Sequence, residues 1–323
     1  MAEQKKGGSF LTVLVAFAAN LVVAIAKSVA ALLTGSASMT AEAAHSWADT
    51  GNEIFLLVAE RRSVRAPDEL HPLGYGRDSY VWSLFAAVGL FTVGAVVSIQ
   101  HGITEFTSTE PSEDAVVAYV VIAVSFVLEG VSFLRSVKQL RGTAAEADQD
   151  VLQHVLATSD PTVRAVFFED AAALVGLVLA AAGVALHQIT GSAVWDALGS
   201  IAVGVLLGGV AIILIQLNRR FLIGQAPSPR IVRAVLRRLL EQDEVESVSY
   251  LHLEYVGPSR VFLVAAVDLA GDPVEHESAA RMARVARAVE ADEHVVEAVI
   301  TLTEPGRRAL ELEAGTGSVQ LPR

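Results

Sequence analysis

Cysteine is absent from this 323-residue chain, which removes disulfides, thiolate metal sites and cysteine nucleophiles at once. Two motifs are missing as well. Without His-Glu-x-x-His the chain lacks the helix-borne ligands of a zinc protease, and without Gly-x-x-x-x-Gly-Lys-Ser/Thr it lacks a P-loop for ATP. Positive charge is scarce: 24 Lys and Arg stand against 36 Asp and Glu, and a net charge of −12 argues against non-specific nucleic-acid binding. One further absence is local. The segments Gly35–Ser38, Thr104–Asp114 and His187–Ala193 contain no Lys or Arg.

What the chain has in excess is apolar length. Hydrophobic residues make up 53% of it and the mean hydropathy is +0.49, above the range of ordinary soluble domains. A membrane-crossing helix needs roughly 20 apolar residues, and six stretches qualify: Phe10–Leu33, Met39–Ala59, Tyr80–Ile103, Ala115–Leu134, Val163–Leu186 and Val194–Leu217. The first run is too long for the core of a cleaved signal peptide. Arg61, Arg62, Arg65 and Arg77 follow the second stretch; Arg135, Lys138, Arg141 and Arg164 flank the fourth and fifth; Arg219 and Arg220 follow the sixth. The Lys- and Arg-free loops all fall on the opposite side, so the positive-inside rule puts both termini in the cytoplasm, with a cell membrane as the expected location.

After Ile223 the pattern changes. Gln225–Pro229 is a short linker, and apolar residues from Ile231 to Leu240 recur at helical spacing. Val245–Tyr255 and Arg260–Leu269 read as strands around a Gly257-Pro258-Ser259 turn. A helix over Glu277–Ala291 and a strand over Val295–Leu302 follow. The fold class expected is therefore an α-helical membrane protein, with six transmembrane helices and a small cytoplasmic α-β-β-α-β unit. The boundaries read as 1–222 for the membrane domain, 223–305 for the α/β unit and 306–323 for a disordered tail. A unit of that size has a modest core, which dimerisation would supplement.

His45 and Asp49 lie four residues apart in the second stretch, so they share one helix face. A carboxylate at mid-membrane costs about 2.5–3.5 kcal/mol on insertion scales. A cation between imidazole and carboxylate accounts for both residues. Asn52 and Glu53 continue the same face as outer partners or a relay. Glu169 and Asp170 in the fifth stretch point about 100° apart on a helix, so one can face the site while its neighbour faces another helix. Asp170 is the firmer candidate ligand; Glu169 stands either as a ligand or as an interfacial acid. Asp68 and His71, in the connection after the second stretch, are close enough to share a cation or to form an ordinary polar turn. Lys27 and Glu129 are assigned to packing or snorkelling, and Asp196 to the dipole of the helix that it opens. The soluble histidines, His252, His276 and His294, do not cluster.

These residues together resemble the cation diffusion facilitator family of cation-efflux proteins, which exchange zinc and related divalent ions for protons. The resemblance rests on His45-x-x-x-Asp49, Asp170, the His71-Pro72-Leu73-Gly74-Tyr75-Gly76-Arg77 turn and the stretch Leu222–Pro229. It spans nearly the whole chain and is closest to the branch of the ninth human zinc-transporter type. It implies a homodimeric, proton-coupled zinc exporter working by alternating access, with a metallochaperone-like soluble domain. The bound divalent cation would be cargo (Zn²⁺, with Mn²⁺, Fe²⁺ and Co²⁺ as alternatives) and no prosthetic group is implied. Two departures stand out. Val166 occupies the place of the span-five histidine, leaving Glu169 as the substitute ligand, and Tyr75 replaces a histidine often found in the loop site. The strands of the soluble domain also lack the family's zinc histidines. The alternatives are a passive channel or uptake carrier with the same residues, a membrane metalloenzyme using Glu53 as base, and a membrane-anchored scaffold.

Overall fold

The computed structural model describes residues 3–106, 115–146, 148–271, 273–304 and 306–311. The acidic stretch 107–114 and the chain end 312–323 lie outside the described residues. The chain folds as two compact units, one within Met1–Arg61 and Tyr80–Arg219, the other within Arg62–Ser79 and Arg220–Arg323.

The first unit is helical. It is built from α1 (Glu3–Thr34), α2 (Ala37–Ser63), α3 (Asp78–Gly89), a π-helical stretch (Leu90–Val96), α4 (Val97–Glu105), α5 (Ala115–Glu146), α6 (Val151–Ala157), α7 (Pro161–Thr190) and α8 (Val194–Leu222). Counting α3 to α4 as one rod, these give six long helices over the six apolar stretches. Four of them, Asp78–Glu105, Val116–Ala145, Pro161–Thr190 and Val194–Leu222, are long and apolar enough to cross a membrane. The described apolar part of α1, Asn20–Thr34, is shorter. At 27 residues α2 would span about 40 Å, but its buried residues include Glu42, His45, Ser46, Thr50 and Asn52. Two features have no counterpart in the sequence reading: the π-helical stretch and the short α6.

The interior of this unit is rich in alanine, packed around a smaller number of large side chains. Ala41, Ala48, Ala87, Ala95 and Ala172 surround Leu90, Val203 and Leu207, and Ala30, Met39, Ala118, Leu177 and Ala180 form a second cluster. Many large apolar residues point outward, among them Val22, Leu32, Val116 and Leu134, all exposed. Small residues inside and large ones outside suit helices that meet each other closely and meet lipid on the far face.

The α1–α2 connection is tight, turning at Gly35 with φ +62°. Asp196 lies in the first turn of α8, as expected, and serves a second helix as well. Its carboxylate caps α2, accepting from Ala37 N (2.6 Å), Ser36 Oγ (3.0 Å) and Ser38 N (3.3 Å). Ser38 Oγ in turn donates to Asp196 O at 2.9 Å. Ser38 fits because a Cβ at Gly183 or Gly199 would lie 2.6 or 2.5 Å from its hydroxyl. At the other end of α7, buried Arg164 donates to Thr158 O (2.9 Å) and Asn218 Oδ1 (2.7 Å), and Asn218 Nδ2 donates to Ser83 Oγ (3.1 Å). That network joins α7, α8 and α3.

The second unit has the expected α-β-β-α-β order: α9 (Pro229–Leu240), β1 (Val245–Gly257), β2 (Arg260–Leu269), α10 (Glu275–Glu290) and β3 (Val295–Leu302). The sheet order is β1-β2-β3, with β1 antiparallel to β2 (Leu253 opposite Leu263) and β3 parallel to it (Ala298 opposite Leu263). Leu236, Leu239, Leu251, Leu263, Val267, Val285 and Val289 form its buried interior. Residues 306–311, expected to begin a loose tail, run beside β1: Leu310 is buried and its N–H donates to Val248 O at 2.7 Å. A paired backbone covers an otherwise open sheet edge there, which is why this stretch is held.

Residues 62–79, the connection from α2 to α3, belong to this second unit. Gly76 meets Gly257 backbone to backbone, and a Cβ at Gly76 would lie 2.4 Å from Val256 O. Arg77 forms an ion pair with Glu254 beside that contact.

Candidate functional site

The 3.6-residue period of α2 aligns Glu42, His45, Asp49 and Asn52/Glu53 along one face. His45 is fully buried, and its Nε2 lies 3.4 Å from Asp49 Oδ2. Across from this face, Asn52 Nδ2 donates to Glu169 Oε1 of α7. Asn20 Nδ2 of α1 donates to Glu53 Oε1 at 2.7 Å. Glu42 Oε2 accepts from Lys27 Nζ of α1 at 3.1 Å, and both side chains are fully buried.

The adjacent acids of α7 diverge as their spacing requires. Glu169 turns to α2, through Asn52, while Asp170 Oδ2 accepts from Ser132 Oγ of α5 at 2.9 Å. Of the two, the structure joins Glu169 to the helix of His45 and Asp49, and no hydrogen bond among the described residues ties Asp170 to it. Val166 lies one turn before Asp170. Among the described residues no group of three or more His, Asp or Glu side chains is arranged to hold a metal ion. The candidate residues therefore stand in two places, His45 with Asp49 on α2 and Glu169 next to Asp170 on α7, with only Glu169 linked by a hydrogen bond to α2.

Buried polar atoms without a hydrogen-bond partner concentrate on α2. They are Glu42 Oε1, both ring nitrogens of His45, Ser46 Oγ, Asp49 Oδ1, Asn52 Oδ1 and Glu53 Oε2. Leaving one such group unpaired in a protein interior costs about 1–3 kcal/mol, and seven of these atoms lie on this one helix. Ring nitrogens and carboxylate oxygens are the donor atoms that divalent cations of the zinc and manganese type accept.

In the loop of the second unit, Asp68 and His71 do come together, with His71 Nδ1 3.3 Å from Asp68 Oδ1. Both Asp68 oxygens are engaged by other donors. Oδ1 also accepts from the Leu70 and His71 N–H groups (3.1 and 2.8 Å), and Oδ2 from Tyr75 OH at 2.5 Å. The Tyr75 bond first, then the His71 bonds, hold the Asp68 carboxyl below the usual carboxylate range. The same bond raises the Tyr75 phenol. The rings of Tyr75 and His71 lie 4.1 Å apart, and the Arg65 guanidinium sits 4.9 Å over the tyrosine.

One buried ion pair, Lys27 with Glu42, is not evident from the sequence. Glu42 was not singled out, although its place one turn before His45 on the same face signals it. Lys27 was noticed but not its partner, which lies across the α1–α2 turn.

Four helices long and apolar enough to cross a membrane, with a buried polar face on α2, are the features of an integral membrane protein. The "cation efflux transmembrane domain" family model matches residues 13–222, and the chain belongs to this family of transporters. It is 39% identical over 234 residues to metal tolerance protein C4 of Arabidopsis thaliana, covering 72% of this chain and 51% of that protein. It is 36% identical over 260 residues to the mitochondrial proton-coupled zinc antiporter SLC30A9 of Homo sapiens, covering 80% of this chain and 46% of that one. The manganese efflux system protein MneP of Bacillus subtilis is 23% identical over 254 residues, 77% of this chain and 80% of its own length. The chain spans about half the length of the first two relatives.

Proposed function

We propose that this protein exports a divalent metal cation, Zn²⁺ first, in exchange for protons by alternating access. The observation that carries the reading is the run of unpaired buried donor atoms on α2, from Glu42 to Glu53, inside a membrane domain. The names of the zinc and manganese relatives support the metal class. His45 and Asp49 are the first ligands; Glu169, joined to Asn52, and Asp170 supply the second half. The cation draws the two half-sites together, so loading and closure of α2 against α7 are one event. Neutral imidazole and ionised carboxylates bind metal while protonated ones do not, so protons and cargo compete for one set of atoms. Protonation from the far side releases the metal there.

The remaining assignments follow from the same reading. Zn²⁺ is preferred, with Mn²⁺, Fe²⁺ and Co²⁺ less favoured, and Val166 in the usual histidine position weakens that preference by making the shell richer in oxygen. The protein works as a homodimer in the cell membrane with both termini cytoplasmic. Residues 1–222 conduct the cation and 223–305 form the dimerising soluble part. Asp68 and His71 are assigned to loop structure, because Tyr75 and backbone donors already engage both Asp68 oxygens.

Purified protein in liposomes loaded with a zinc indicator tests the reading. Zinc flux should rise with an opposing proton gradient and disappear in Asp49→Asn. Flux indifferent to the gradient would make the protein a passive carrier, and full flux in Asp49→Asn would remove the proposed site.

A further inference from the structure

The Lys27–Glu42 pair stands outside the ligand set and is built with unusual care. Both side chains are fully buried, with Nζ 3.1 Å from Oε2. The other oxygen, Oε1, has no hydrogen-bond partner. It rests against α7 at Gly176, where an added Cβ would lie 2.5 Å away. Only a glycine leaves room for the carboxylate at that point. Replacing a buried ion pair by apolar residues of similar volume is often neutral or stabilising, so tighter packing is not what the pair supplies.

Its position supplies the explanation. Glu42 precedes His45 by one helical turn on the same face, so their Cβ atoms are about 5–6 Å apart. Along the axis it lies about 4.5 Å from His45, toward the α1–α2 turn. The unpartnered Glu42 oxygen is thus one helical turn from the His45 and Asp49 pair. An ammonium and a divalent cation repel each other, so one carboxylate does not hold both closely.

The geometry points to Glu42 as a further ligand for the transported divalent cation and to Lys27 as its tethered competitor. The ammonium holds Glu42 when cargo is elsewhere, and cargo engages Glu42 only by displacing it. This inference rests on the metal-transport reading above. It adds a station on the path and a reason for the cation to leave it: the displaced ammonium returns.

The test is equilibrium Zn²⁺ binding to the full-length protein in detergent, at one pH, with thermal unfolding as a check on each variant. Lys27→Met removes the competitor and should tighten zinc binding about tenfold, while Glu42→Gln removes the ligand and should weaken it by a similar factor, the scale of groups that support a metal site. A merely structural pair would shift both variants the same way. The double variant Lys27→Met with Glu42→Gln leaves no unpaired charge and should bind as weakly as Glu42→Gln alone. Shifts of the same sign, or wild-type affinity in Glu42→Gln or in the double variant, would overturn the proposal. Should Lys27→Met fail to fold, the comparison of Glu42→Gln and the double variant still decides it. If Asp49→Asn binds zinc as well as the wild type, the underlying metal-site reading fails instead.

Discussion

Replacing Asp196 by alanine strips the start of α2 of its acceptor. Three donors lose a charged partner: Ala37 N at 2.6 Å, Ser36 Oγ at 3.0 Å and Ser38 N at 3.3 Å. Hydrogen bonds to a charged group contribute about 1.5–3 kcal/mol each, and loss of a helix N-cap costs about 0.5–2 kcal/mol. The two figures describe overlapping interactions, and the longest bond is weak. Counting the shortest bond fully and the others in part gives a destabilisation of about 3–4 kcal/mol. Asp196→Asn keeps an acceptor of the same shape but loses the charge, and should cost roughly half as much, mainly through the helix-terminus interaction. Unfolding in mixed micelles at increasing sodium dodecyl sulfate, followed by tryptophan fluorescence, measures both. Because α2 carries His45 and Asp49, Asp196→Ala should also reduce zinc flux. A denaturation curve for Asp196→Ala within about 0.5 kcal/mol of wild type, the range of ordinary surface changes, would refute the capping argument.

Two other consequences can be checked with the same protein. Gly176→Ala places a methyl carbon 2.5 Å from Glu42 Oε1 and should cost about 1–3 kcal/mol as overpacking does; Gly209→Ala, with nothing within 4 Å, should be neutral or gain up to about 1 kcal/mol in helix propensity. In the soluble unit, the His294 N–H and ring nitrogen (3.1 and 2.9 Å) and then Arg238 (2.6 Å) hold the Asp292 carboxyl below its usual range. A depressed carboxyl stabilises the fold above its unfolded value, near pH 4, and that contribution fades as pH falls through the folded value. Asp292→Asn should therefore lower the thermal midpoint at pH 7 and lower it less at pH 3; an equal gap at both would contradict the assignment.

Much of the architecture was legible because it is written in long-period signals. Six apolar stretches became six long helices, and the alternation after Ile223 became the α-β-β-α-β unit. His45 and Asp49 were visible because their spacing is intrahelical. What was missed depends on pairing between helices. Lys27 and Glu42 are 15 residues apart and meet because the Gly35 turn folds α1 back on α2, so residues nearly equidistant from it lie side by side. Asn20 and Glu53 meet by the same rule. That rule could have been applied to the sequence. Asp196 could not have been placed in this way: it opens α8 but serves a helix about 160 positions earlier, which only the packed structure relates. The divergence of Glu169 and Asp170 was readable, but which of them would turn to α2 depends on the rotation of α7.

The contact between Gly76 and Gly257 also bears on how this protein can be divided. A fragment cut after α8 would retain residues 62–79 but discard the hairpin on which they fold, leaving Arg77 without Glu254 and a backbone surface without its mate. A fragment of the soluble part alone would lose the same contact from the other side. The boundary drawn along the chain therefore does not coincide with the boundary drawn in space. Any attempt to exchange soluble domains between relatives has to carry the α2–α3 connection with the domain, as a second, discontinuous piece.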